Sequence, residues 1–212
     1  MIGNDIVDYS IDENKYLNQR FVTRCLSKIE SDYLEQSNNK NAFFWSLWAC
    51  KEAAYKAYQK SQLDCIFSPP EFELTETTLK ALVIHDMQSV FDGEIRFKDH
   101  QLAIQLTWPD AMVVHCIADK KSESINECVV AIEQNVVATD NFKQSALTRV
   151  MADRLLKEKG IDAKILRPEL DMGHYKKPGP PVLVDKTTGK QRPENISLSH
   201  DKAWLAFVLC LY

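Results

Sequence analysis

The 212-residue chain reads as an α+β protein in two lobes, residues 1–120 and 121–212, each a small antiparallel sheet packed on one long helix. Two observations carry this reading. Helical periodicity with a strong apolar side appears twice, over 42–59 and 142–159, each time with strand-like segments before and after it. Between the helices, residues 65–119 alternate polar and apolar side chains over short segments broken by Pro69, Pro70 and Pro109, as a meander with one wet face would. The repeated order has no exact internal sequence repeat beneath it.

In chain order, residues 2–7 are β-branched and weakly alternating, hence an opening strand. Residues 28–36 and 42–59 are helical, separated by Asn38, Asn39 and Asn41. Segments 71–74, 79–84, 94–97, 102–106 and 112–117 are the meander strands. The second lobe opens with a strand at 128–133. The helix 142–159 follows, with Leu147, Val150, Met151, Leu155 and Leu156 expected inward and Gly160 placed to end it. A strand at 163–166, a Pro-rich loop through Pro178, Pro180 and Pro181, a short strand at 182–184, a turn at 186–189 and paired strands at 196–198 and 204–211 complete the chain.

Composition is ordinary for a globular domain, 45% hydrophobic and 26% charged, with a net charge of −4. No apolar run approaches the roughly 20 residues that span a bilayer, and residues 1–5 lack a basic-then-apolar leader, so a cytoplasmic chain is expected. The six cysteines make no C-x-x-C pair and are expected to be reduced, buried and structural. The acidic middle, 61–140, argues against a nucleic-acid binder, which needs a broad basic face. The basic stretch 141–177 suits a small polyanion, although many of its charges also fit a solvated helix face.

The chemistry-bearing segment is Trp48-Ala49-Cys50-Lys51-Glu52-Ala53-Ala54-Tyr55-Lys56. Glu52 and Lys56 lie four residues apart on one helical face. They suit either a surface ion pair or a site that holds a cation and a phosphate side by side. Asp5 follows Gly3 on the first strand, and a hard carboxylate there would join Glu52 as an Mg²⁺ ligand. It also fits a role as a turn acceptor. His200, after Ser197-Leu198-Ser199, is either a phosphate contact or a hydrogen-bonded strand-end residue.

Together these segments resemble the 4′-phosphopantetheinyl transferase superfamily, whose G-x-D, W-x-x-K-E-(A/S)-x-x-K and S-x-S-H motifs are similar to Gly3-Asn4-Asp5, Trp48–Lys56 and Ser197-Leu198-Ser199-His200. Arg20-Phe21-Val22-Thr23-Arg24 leading to Glu30 resembles the short, holo-acyl-carrier-protein-synthase type. Arg149 with 152–156 resembles a helix of the longer, two-lobed enzymes, and Lys177-Pro178 their G-K-P segment without its glycine in register. The resemblance covers about 1–60 and 140–212 and little of 61–139. The motif order follows the short trimeric type, but the chain is nearly twice as long. It implies both lobes in exchanged order, two pseudo-symmetric α/β lobes of the phosphopantetheinyl transferase fold acting in one chain as a pseudo-dimer. Val7 stands where the two-lobed enzymes commonly carry a further acid.

The resemblance implies transfer of the 4′-phosphopantetheine arm of coenzyme A to a serine of an apo-acyl or peptidyl carrier protein, with release of adenosine 3′,5′-bisphosphate. Asp5 and Glu52 would hold Mg²⁺, and Glu52 and Lys56 would be catalytic. Lys56, Arg149, Lys177, Ser199 and His200 would contact coenzyme A, and Arg20 and Arg24 the carrier; as a pair, the arginines also fit ordinary surface charge. A protein that kept the coenzyme A pocket but lost transfer is the competing reading. An unrelated coenzyme-A-dependent acyltransferase would need no paired carboxylates.

Overall fold

The computed structural model describes residues 1–12, 14–135 and 140–211. Strand β1 (Gly3–Asp8) opens the chain, and helices α1 (Gln19–Cys25), α2 (Lys28–Gln36) and α3 (Lys40–Gln59) follow. After a single 3-10 turn come β2 (Glu73–Leu74), α4 (Glu76–Val83), β3 (Phe91–Phe97), β4 (His100–Asp110) and β5 (Val113–Asp119). A short α5 (Ser122–Asn126) leads to β6 (Val129–Gln134) and α6 (Asn141–Glu158). The chain closes with β7 (Ala163–Leu166), β8 (Glu169–Asp171), β9 (Lys176–Pro178), β10 (Val182–Asp185), β11 (Asn195–Asp201) and β12 (Trp204–Cys210).

The larger sheet runs β1-β5-β4-β3-β2, antiparallel throughout. Its core lies under α3, where Phe43, Phe44, Leu47, Ala53 and Ala54 are fully buried. The smaller sheet runs β11-β12-β6, and α6 covers it with Met151, Ala152 and Leu156. In each of these two sheets the strand before the long helix pairs antiparallel with a later strand, β1 with β5 and β6 with β12. Residues 91–119 thus build most of the first sheet, which gives the acidic middle of the chain a structural task.

Strand β1 is an edge strand of the larger sheet, and an unpaired edge must find partners for its outward amides. Side chains of β11 supply them. The Asn4 N–H donates to Ser197 Oγ (2.9 Å), the Ile6 N–H to Ser199 Oγ (3.1 Å) and the Asp8 N–H to Asp201 Oδ2 (2.9 Å). The period of two on both strands makes this ladder. Ile196, Leu198 and His200 point the other way, the first two into the core beneath α6.

Four expectations are corrected. Residues 79–84 belong to helix α4 and its C-cap. Thr75 caps the helix by accepting from the Thr78 N–H, and Leu79 and Leu82, three apart, face the core. Val150 is 64% exposed because the buried stripe of α6 runs through 144, 148, 151, 152 and 156. Residues 169–178, read as loop, contain the hairpin β8–β9. Cys128 and Cys210 form a disulfide with a Cα–Cα distance of 4.5 Å, one step past the last β6–β12 pair; only Cys25, Cys50, Cys65 and Cys116 are free. Among the described residues, no helix is long and apolar enough to cross a membrane.

Candidate active site

Gly3 sets the geometry of the site. A β-carbon there would fall inside the backbone of α3 at Ala53 and Ala57, so only glycine lets the helix lie directly on β1. Residues 3, 5 and 7 share the face turned to α3, and the close approach brings Lys56 onto Asp5. Lys56 Nζ donates to Asp5 Oδ1 at 2.7 Å, and Ser199 Oγ donates to the same oxygen at 2.8 Å. Asp5 is 7% exposed. The i,i+4 ion pair between Glu52 and Lys56 does not form, since Lys56 turns to Asp5.

Glu52, half-buried one turn earlier on α3, has no hydrogen bond or ion pair among the described residues. Burial, then the negative charge of Asp5, pushes its carboxyl up to about 7, against the pull of Lys56. Both side chains line a cleft of about 540 Å³. Among the described residues no three His, Cys, Asp or Glu side chains converge on one point. Val7 lines the cleft beside Asp5, while Asp8 turns away and accepts from the Ser10 N–H at 3.0 Å. Two carboxylates with unbonded oxygens, Asp5 through Oδ2 and Glu52 through both, form a donor set that suits a hard cation completing its shell with water or substrate oxygens.

The other wall is cationic. His200 projects from β11 toward α6, where Nδ1 meets Gln144 Oε1 at 3.1 Å, and burial, then Lys56 and Arg167, lower its proton affinity. Arg149 lines the cleft from α6, with its Nη1 3.5 Å from the Ile165 carbonyl. Arg167 joins them from the end of β7. Burial and the neighbouring Arg149 hold its guanidinium below the usual range. Neither arginine has a carboxylate partner among the described residues. Cations crowded together without counter-ions make a site for a polyanion.

Ser199 contributes differently from the other expected residues. It is 5% exposed and fully engaged between Ile6 and Asp5, so it orients the carboxylate. Lys177 does not line the cleft; it sits on β9 near Cys65, whose thiol feels its charge. Arg20 and Arg24 are exposed on α1, beside Phe21 at the cleft mouth.

Sequence reasoning held Arg167 only as one charge of the basic stretch 141–177, and it missed Gln144 and the task of Lys51. Lys51 is fully buried. It donates to both oxygens of Glu30 (2.8 and 2.6 Å), to the Pro69 carbonyl (3.1 Å) and to the Phe72 carbonyl. Glu30 also accepts from the Ser27 N–H at 2.8 Å and the Leu74 N–H at 3.1 Å. This hub fastens α3 to α2 and β2 and so fixes the helix that carries Glu52 and Lys56. A lysine inside so apolar a helix, with a glutamate in a capping box upstream, was the available signal.

No curated protein matches the chain. A family model described as the 4′-phosphopantetheinyl transferase superfamily matches residues 1–107. That match spans Asp5, Glu52 and Lys56, and it runs on through 61–107, where motif reading had found little resemblance. Arg149, Ser199 and His200 lie beyond it and line the same cleft, Arg149 from α6 and the other two from β11, which the ladder holds against β1. With half its length matched and the motif residues gathered at one cleft, the chain belongs to the 4′-phosphopantetheinyl transferase superfamily.

Proposed function

We propose that this protein moves the 4′-phosphopantetheine arm of coenzyme A onto a serine hydroxyl of an apo-acyl or peptidyl carrier protein and releases adenosine 3′,5′-bisphosphate, in the manner of a holo-acyl-carrier-protein synthase. The observation that carries the reading is one cleft in which two carboxylates, Asp5 and Glu52, adjoin cations that lack counter-ions. Phosphoryl transfer needs this combination: charge neutralisation at the pyrophosphate, a grip on the leaving nucleotide and a base for the nucleophile.

Asp5 and Glu52 would hold Mg²⁺, which when bound supplies charge neutralisation at the pyrophosphate oxygens. Lys56 contacts a phosphate from the face of α3 that carries Glu52. His200, Arg149 and Arg167 grip the remaining phosphates. Glu52 takes the serine proton as the serine oxygen bonds to phosphorus and the pyrophosphate P–O bond breaks. Ser199 and the β1–β11 ladder keep Asp5 in place throughout. Arg20 and Arg24 offer exposed positive charge to an acidic carrier surface, which speeds encounter and sets register.

Incubation with coenzyme A, Mg²⁺ and an apo-carrier, followed by intact-mass measurement of the carrier, tests this. The expected result is a mass gain of one phosphopantetheine, abolished by EDTA and by Glu52→Gln. Coenzyme A binding without any mass gain, across carriers of fatty acid, polyketide and nonribosomal peptide type, would instead identify an interaction protein that has lost transfer.

A further inference from the structure

His200 lines the cationic side of the cleft, but which ring nitrogen it can offer an anion is set from outside that lining. Gln144, 4% exposed, stands one turn into α6 on its buried stripe. Its backbone is held twice. The Gln144 N–H donates to the Asp140 carbonyl at 3.0 Å, and the Thr148 hydroxyl donates to the Gln144 carbonyl at 2.8 Å. His200 is held as firmly, on β11 opposite Leu205 of β12. The Gln144 side chain meets His200 Nδ1 through Oε1 at 3.1 Å, and Nε2 has no hydrogen bond among the described residues. An amide oxygen only accepts, so the Nδ1 that faces it carries a proton, and a neutral ring then shows a bare lone pair at Nε2. The charges around the ring favour this orientation of the amide. Lys56 of α3 and Arg167 just past β7 act on it, Arg149 of α6 lines the same wall, and Asp5 of β1 opposes them. Turned round, the amide would bring its NH₂ group to a ring already crowded by cations.

On the function proposed above, we infer that Gln144 is a positioning residue for His200: it holds the ring proton at Nδ1, so that a phosphate is gripped only when Nε2 takes up a second proton. A bare lone pair and a phosphate oxygen repel each other. The second proton comes from solvent, adds to the Nε2 lone pair and is shared with the phosphate, and no covalent bond of the ligand changes. The imidazolium then donates from both nitrogens, to Gln144 Oε1 and to the phosphate, and charge-assisted hydrogen bonds are the stronger kind. Before a ligand arrives, burial, then Lys56 and Arg167, lower the proton affinity of the ring, so it is neutral above its ordinary pKa of about 6.5. An arriving phosphate dianion reverses that balance. Without the amide oxygen, a neutral ring is free to carry its single proton at Nε2 and to donate it with no uptake. A carboxylate in place of the amide would charge the ring in advance.

Two readouts test this, and a merely structural Gln144 would move neither. The first is the ¹⁵N spectrum of histidine-labelled protein at pH 8 without ligand, with the His200 signals assigned by their loss in His200→Gln. The unsubstituted protein should show Nδ1 protonated and Nε2 bare. Gln144→Met should shift the proton toward Nε2, while Gln144→Glu, which keeps an acceptor in place, should hold Nδ1–H and titrate at a higher pH. The second is calorimetric titration with adenosine 3′,5′-bisphosphate at pH 7.5 in two buffers of different ionisation enthalpy. The unsubstituted protein should take up about one proton more per probe bound than Gln144→Met does. Glu52 lines the same cleft and titrates at about 7, but it is present in both proteins and drops out of the difference. An unsubstituted ring protonated at Nε2 at pH 8, or equal proton uptake in the two proteins, would overturn the inference. If the unsubstituted protein bound no bisphosphate, the function proposed above would fall, and the tautomer spectra would still decide whether Gln144 sets the ring.

Discussion

Ser199 joins the two halves of the site at a single oxygen. Its hydroxyl accepts from the Ile6 N–H and donates to Asp5 Oδ1, buried between β1 and β11. Ser199→Ala should leave that amide unpaired and free the carboxylate to swing, costing about 1–3 kcal/mol by urea unfolding and slowing transfer. Ser199→Thr, which keeps the hydroxyl, should recover most of both; equal loss in the two variants would show that packing, and not the hydrogen bonds, sets the effect. Lys51 makes a complementary case. Lys51→Met strands Glu30 as a buried charge and should cost about 3–5 kcal/mol, much of it restored by adding Glu30→Gln. The motif positions themselves were legible: Asp5, Glu52, Lys56 and His200 all reach one cleft. What each side chain bonds was not, because the partners of Ser199 and Lys51 lie 193 and 21 residues away and only the fold delivers them.

At the scale of elements, the G-x-D motif is a packing device before it is a chemical one. Gly3→Ala places a methyl group on the α3 backbone, and the helix must lift from β1. The expected outcome is a loss of transfer larger than the loss of thermal stability implies, since lifting α3 separates Lys56 from Asp5. Melting temperature and transfer rate measured side by side check it, and full activity in the variant would show that the close approach is dispensable. The long helices, the first strand and the closing hairpin were readable because their apolar periods are unmixed. Helix α4 was not, since Val83 and Ile84 favour strands while the deciding signal, the Thr75 cap, is short. The β8–β9 hairpin also escaped, because three-residue strands among prolines leave no period to read.

At the scale of the whole molecule, one chain supplies both walls of the cleft. Gel filtration is therefore expected to give transfer activity in a monomer peak; activity confined to a trimer would contradict a self-contained site. The packing of β1 between β5 and β11 also sets an acid limit. His115, 1% exposed on β5, meets Asn4 Nδ2 through Nε2 at 3.2 Å, and burial, then the charge of Lys56, pushes its pKa down to about 3. A histidine held neutral in the folded state regains its ordinary affinity on unfolding, so the unfolded chain binds the extra proton. The stability involved is fully present above about pH 6.5 and drains away as pH falls toward 3, by at most on the order of 5 kcal/mol. Asp201, raised by burial to about 6, acts in the opposite sense, because its folded form holds a proton that the unfolded chain releases between pH 4 and 6. Urea unfolding from pH 4 to 8 should therefore show His115→Gln losing less stability on acidification than the parent, and Asp201→Asn losing more. Parallel curves for all three proteins would mean that neither group titrates with the fold, and that acid sensitivity arises elsewhere than at the β1–β11 seam.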